Sequence, residues 1–112
     1  IEFLFEYAKN NELCFAIDEY PYIRKIISGL DSKLQRIIDN YQNESKIKFF
    51  LLGSSISIME SISSESNPLY RRFNVSILLK EMNYYDSAKF YKDFSNEDKV
   101  KLYAAFWRSA FL

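Results

Sequence analysis

Three short apolar runs lie along the chain, at residues 13–17, 47–52 and 75–79. The first two are almost continuously hydrophobic, which is typical of strands covered on both faces of a parallel sheet. Segments with a helical period lie between and around the three runs. This alternation predicts an α/β fold with parallel strands joined by right-handed crossovers.

Helices are predicted where apolar residues recur at every third or fourth position. Such stripes precede the first strand, follow Ser32, fill residues 54–62 and continue beyond the third run. Ser32 with a glutamine three residues later has the form of a capping box. Asn83 and Ser95 are further predicted N-caps. Residues 61–68 are rich in serine, end in proline and are predicted to form a mobile loop.

The composition is that of one small folded domain: 112 residues, of which 48% are hydrophobic. Fifteen basic and fifteen acidic residues give zero net charge. This balance argues against direct nucleic-acid binding by the segment, which needs a basic surface. No apolar run approaches the roughly 20 residues of a membrane span, so no membrane partner is expected. The start at Ile1, without a basic leader, favours a cytoplasmic location and a piece of a longer protein.

The inventory of reactive side chains narrows the possible chemistry. Histidine is absent and Cys14 is the only cysteine. A zinc cluster, a Cys–His pair and a Ser–His–Asp triad are therefore excluded within this chain. Cys14 lies in an apolar run and is predicted to be a small core residue. Any chemistry here must use carboxylates, hydroxyls, arginine or lysine.

An acidic pair, Asp18 and Glu19, directly follows the first apolar run. Ligands of α/β folds gather at the carboxyl ends of strands, and an apolar strand followed by Asp-Glu has the form of a Walker B motif. Asp18 is the candidate Mg²⁺ ligand, because a rigid strand can hold its carboxylate against phosphate-bound metal. Glu19 is the candidate catalytic group that orients or deprotonates water. The alternative is an ordinary strand end with acidic residues in the following turn.

A wider resemblance supports the Walker B interpretation. Two segments resemble the prokaryotic AAA+/STAND-like P-loop ATPases: residues 15–23, FAIDEYPYI, and residues 50–60, FLLGSSISIME. The same order and spacing continue to about residue 104, through residues 67–72, 78–82 and 86–91. The resemblance therefore covers most of the chain.

This resemblance implies a three-layer P-loop NTPase-like parallel sheet, with ATP and Mg²⁺ as ligands of the complete protein. It implies that residues 1–94 are the C-terminal part of the ATPase core and that residues 95–112 begin a truncated helical lid. The chain has no phosphate-binding loop, since Gly29 and Gly53 are its only glycines and neither precedes a lysine. The expected sheet is therefore incomplete, lacking the phosphate-loop strand, and the chain alone is predicted to be inactive.

The resemblance also assigns nucleotide-binding residues after the second strand. Ser54, and then Ser55, correspond to the family's sensor region, where a polar side chain helps to place the attacking water. Ser55 could instead simply cap the next helix. Arg72 matches a family arginine that could stabilise phosphate charge, with an ordinary surface arginine as the alternative. Arg71 stands where the family has glycine, and from Trp107 onward the sequence also departs from the family.

Two functions remain open on the sequence. The first is the central segment of a Mg²⁺-dependent ATPase whose partner is a nucleotide. The second is a non-enzymatic remnant or protein-interaction module from a truncated gene, which could self-associate or bind another protein.

Overall fold

The computed structural model describes residues 1–106, which form a mixed α/β arrangement. Two compact units divide the chain: the first covers Ile1–Val75 and the second begins at Ser76. The elements of the first unit are α1 (Glu2–Tyr7), β1 (Leu13–Ile17), α2 (Tyr20–Ile26), α3 (Leu30–Tyr41), β2 (Ile47–Leu51) and α4 (Ile56–Ile62). Those of the second are α5 (Tyr84–Ala88), a 3₁₀ turn (Lys89–Tyr91) and α6 (Asn96–Phe106).

The sheet of residues 1–106 consists of β1 and β2, which pair in parallel. The register runs from Leu13 opposite Ile47 to Ile17 opposite Leu51, so both strands end at the same level. This confirms the first two predicted strands and their parallel pairing. The connection between them contains α2 and α3, as a parallel pair requires a long crossover.

The core of the first unit lies against one face of this sheet. Leu34 and Tyr20 are fully buried and Leu69 is 1% exposed. They belong to a cluster with Ile17, Leu30 and Ile62, against which Phe15, Phe49 and Leu51 of the strands pack. Odd-numbered strand residues therefore face the helices, as the two-residue period of a strand dictates.

The opposite face of the sheet is open within residues 1–75, so the expectation of strands covered on both faces is not met. Cys14, Ala16, Lys48 and Phe50 are all exposed on this side, Phe50 by 49%. The prediction that Cys14 is a core residue is wrong, because its side chain points away from the helices. An apolar run shows that a strand can be buried, but it does not show which side is covered.

The third predicted strand, at residues 75–79, is wrong. This segment has no regular secondary structure, and its apolar side chains are exposed: 70% for Val75, 74% for Ile77 and 85% for Leu79. A strand needs a neighbour for its N–H and C=O groups. In residues 1–106, β1 and β2 pair with each other alone.

The helix predicted after Ser32 is confirmed as α3, which begins earlier, at Leu30, and has Leu34 and Ile37 on its buried face. The predicted capping box at Ser32 is wrong, because the N-cap of α3 is Gly29, which has a left-handed conformation with φ of 67°. The sequence pattern did not predict α2. Pro21, in the first turn of α2, was its local signal, since proline favours that position.

Residues 67–72, called the strap below, follow α4 and lie on α3. Asn67 and Leu69 of the strap are buried, and Asn67 donates a hydrogen bond to Asp31 at the start of α3. The predicted mobile loop therefore ends in an anchored segment at Asn67. The exposed positions of that loop are Ser63, Ser64, Glu65 and Ser66.

The second unit confirms the two predicted caps. Asn83 accepts the N–H of Asp86 at the start of α5, and Ser95 accepts the N–H of Asp98 at the start of α6. The rings of Tyr84 and Tyr103 pack edge to face, with centroids 5.6 Å apart. The predicted lid over residues 95–112 includes α6, and residues 107–112 lie outside the described part. No helix in residues 1–106 is long and apolar enough to cross a membrane.

Candidate functional site

The acidic pair lies at the carboxyl end of β1, in an exposed turn. The backbone N–H of Glu19 donates to Oδ1 of Asp18 over 2.9 Å, which holds the two residues in a tight turn. Glu19 is the N-cap of α2 and has a left-handed backbone, with φ of 50° and ψ of 42°. Both carboxylates are thus presented to solvent by a strand that is fixed in the sheet.

Ser54 lies beside this pair. Its hydroxyl donates to Oε1 of Glu19 over 3.4 Å, across 35 positions of sequence. The parallel register explains the contact, because it brings the ends of β1 and β2 to the same edge. The N–H of Tyr20 donates to the carbonyl of Leu52 over 2.9 Å and ties the two strand ends together. The structure therefore brings Asp18, Glu19 and Ser54 into one place.

Ser55 is the next residue and occupies the N-cap position of α4. Its carbonyl accepts the N–H of Met59 over 3.0 Å, while its side chain makes no capping hydrogen bond. Ser55 is half-buried, in contrast to the exposed Ser54. Of the two serines, Ser54 is the one whose hydroxyl contacts the acidic pair.

Gly53 leaves room for side chains of α2 and α4 that pack against the segment after β2. A Cβ at this position would lie 2.5 Å from Cδ of Pro21 and 2.9 Å from Sδ of Met59. The proline ring is rigid and lies in the first turn of α2, two positions after Glu19. Glycine is therefore required at position 53 for steric reasons, which the sequence pattern alone did not indicate.

Arg72 is engaged elsewhere. Its Nε and Nη2 donate to the two carboxylate oxygens of Asp39 on α3, over 3.1 and 3.0 Å, and its Nη1 donates to the carbonyl of Tyr70. This fork is the bidentate geometry that arginine favours with a carboxylate. The hydrogen bond from Arg72 lowers the pKa of Asp39 below its ordinary value. In residues 1–106 no hydrogen bond joins Arg72 to Asp18, Glu19 or Ser54.

A buried polar cluster lies behind the site and was not predicted from the sequence. Asp31, 7% exposed, accepts the hydroxyl of Tyr20 over 2.5 Å and the amide of Asn67 over 2.8 Å, and pairs with Nε of Arg24 over 2.8 Å. Burial, and then the bond to Asp31, raise the pKa of Tyr20. The buried carboxylate is thus satisfied by three donors from α2 and the strap. An isolated Asp in a helix start gives no sequence signal for such a cluster.

The acidic pair offers two neighbouring exposed carboxylates, and carboxylate oxygens are ligands that Mg²⁺ accepts. The described residues contain no group of three or more His, Cys, Asp or Glu side chains that could hold a metal. Mg²⁺ commonly uses one or two carboxylates, keeps several waters and takes its remaining ligands from phosphates. Asp18, with Glu19 beside it, matches that pattern of ligands.

Comparison with known proteins finds similarity to an uncharacterized archaeal protein. The chain is 31% identical, over 113 aligned residues, to an uncharacterized protein of the archaeon Methanocaldococcus jannaschii. The alignment covers 92% of this chain and 26% of the relative, so the chain spans about a quarter of that protein's length. No family model matches the chain. No solved structure matches it either.

Proposed function

We propose that the chain is the central segment of a Mg²⁺-dependent P-loop ATPase of the AAA+/STAND type, inactive by itself. The observation that carries the proposal is the contact between Glu19 and Ser54 at the carboxyl ends of two adjacent parallel strands. That edge is where α/β folds bind ligands, and the two residues are the ones that the family resemblance pairs.

Each residue has a role in this proposal. The carboxylate of Asp18 would hold Mg²⁺, whose positive charge would offset the negative charge of the phosphates. Glu19 orients a water for attack on the terminal phosphate and accepts its proton. Ser54 donates to Glu19 and helps to fix the direction of that carboxylate. Arg72, paired with Asp39, would have to leave that partner before it could contact a phosphate.

The part of the site that this chain lacks is the phosphate-binding loop with the strand that leads into it. In the proposed ATPase this strand would lie beside the free edge of β2. In the three-layer P-loop NTPase-like sheet it would separate β2 from residues 75–79. That arrangement accounts for an apolar run that has no strand partner here. ATP binding then belongs to the complete protein.

The test is ATP hydrolysis by the complete parent protein, with and without Glu19→Gln. Because a general base typically contributes 10²–10⁴-fold, we expect the substitution to lower kcat by about 100-fold or more while ATP still binds. Glu12→Gln is the matched control: Glu12 is exposed and lies at the opposite end of β1, so kcat should not change. Equal rates for wild type and Glu19→Gln would refute the catalytic role.

The second candidate is a non-enzymatic remnant or interaction module. The engagement of Arg72 with Asp39 and the absence of a phosphate loop favour it over an active enzyme for the isolated chain. The coding DNA upstream distinguishes the two. A phosphate-loop sequence in the same reading frame supports the ATPase, and a stop codon in its place supports the remnant.

A further inference from the structure

Glu19 has a backbone that needs external support. Within residues 1–106, Glu19 and Arg71 are the non-glycine residues with positive φ. A residue with a β-carbon keeps a left-handed backbone only where surrounding contacts enforce it. The next residue, Tyr20, begins α2 and is fully buried. The contacts of Tyr20 therefore act directly on the backbone of Glu19, in addition to the hydrogen bond from the Glu19 N–H to Asp18.

Tyr20 is held both by its backbone N–H and by its side-chain hydroxyl. Its N–H donates to the carbonyl of Leu52 after β2, and its hydroxyl donates to Asp31 on α3. Asp31 also pairs with Arg24, one turn further along α2. The same carboxylate thus holds α2 at two points on one face, and a rotation of the helix would break both contacts.

We infer that Asp31 is a positioning residue: through Tyr20 and Arg24 it fixes the start of α2, and thereby the left-handed backbone that places Glu19 beside Ser54. Asp31 makes no hydrogen bond to Asp18, Glu19 or Ser54, so its effect on them is indirect. The value of this placement for catalysis rests on the proposed ATPase function. The mechanical link from Asp31 to Glu19 does not.

The link is tested by NMR on the 112-residue chain, without nucleotide. The Cα and Cβ shifts of Glu19 and its N–H to Hα coupling report its φ angle. In Asp31→Ala we expect these signals to leave their left-handed values. Tyr20→Phe, which removes the hydroxyl and keeps the ring, should shift them in the same direction. Asp39→Ala is the matched control, since it breaks a second ion pair on α3 that does not touch Tyr20.

Unchanged Glu19 signals in a folded Asp31→Ala chain would overturn the inference, as would an equal change in Asp39→Ala. If Asp31→Ala does not fold, Tyr20→Phe decides by the same criterion. In the complete protein, displacement of a catalytic group should lower kcat for ATP hydrolysis about tenfold or more and change KM less than about twofold. If wild type does not hydrolyse ATP, the proposed function fails while the NMR result still decides the role of Asp31.

Discussion

Arg71 has a backbone conformation that side chains with a β-carbon rarely adopt, with φ of 61°. The proposed ATPase family is expected to have glycine at this position, and glycine takes a left-handed backbone without steric cost. The Arg71 guanidinium lies 5.1 Å from the centre of the Tyr70 ring, which compensates in part. At position 71 of the strap, the contact with Tyr70 favours arginine, whereas the left-handed backbone favours glycine.

Two substitutions separate these effects. Arg71→Ala and Arg71→Gly both remove the contact with Tyr70, but only glycine relieves the left-handed backbone. We expect the glycine variant to have the larger free energy of unfolding, by about 1 kcal/mol, measured by urea denaturation. Equal stability of the two variants would show that the backbone at position 71 is not strained in solution.

At the scale of elements, the strap and residues 75–79 both contain leucines but differ in how deeply these side chains are buried. Leu69 is 1% exposed in the core cluster, whereas Leu79 is 85% exposed. Leu69→Ala should therefore lower the free energy of unfolding by about 2–4 kcal/mol, as deletion of buried methyl groups does. Leu79→Ala should stay within about 0.5 kcal/mol of wild type. A large loss in Leu79→Ala would mean that residues 75–79 are packed as a strand after all.

The strap also attaches to α3 through an ion pair that depends on pH. The folded pKa of Asp39 is lowered below the unfolded value of about 3.9, first by its hydrogen bond with Arg72. The stability from this pair is therefore present above about pH 4 and lost as pH falls through the lower folded pKa. Arg72→Gln should reduce the loss of thermal stability between about pH 5 and pH 3. Arg36→Gln, at an exposed position of α3, is the control and should leave that loss unchanged.

The sequence predicted the elements whose signals are local. The apolar runs at β1 and β2, the stripe of α3 and the caps Asn83 and Ser95 all follow from neighbouring residues, and the structure has each of them. Glu19 and Ser54, both predicted site residues, lie in contact because adjacent parallel strands end together, while their roles stay predictions.

The features that the sequence did not predict correctly depend on contacts between residues that are far apart along the chain. Residues 75–79 have strand composition, but a strand requires a neighbour that the local pattern cannot supply. The ties of Asp31 to Tyr20 and Asn67 join positions that are 11 and 36 residues apart, so no periodicity reveals them. The role of Arg72 at phosphate stays a prediction, with an ordinary surface arginine as its alternative. Its pairing with Asp39, 33 residues away, also lies outside any local pattern.

At the scale of the whole molecule, the first unit is one layer of helices on a two-stranded sheet. Its second sheet face and both strand edges are open within residues 1–75. Unpaired edges and an apolar open face invite pairing with further chain, in the same protein or in another copy.

This incompleteness leads to a prediction for the 112-residue chain itself. Without phosphate-loop N–H groups and a lysine, nothing surrounds the β- and γ-phosphates, and a carboxylate pair alone binds Mg²⁺ weakly. Titration with a fluorescent ATP analogue should therefore show no micromolar, Mg²⁺-dependent affinity. Asp18→Asn should give the same flat titration as wild type. A micromolar affinity that Asp18→Asn abolishes would reveal a nucleotide site that works without a phosphate loop, and the chain would then be more than a central segment.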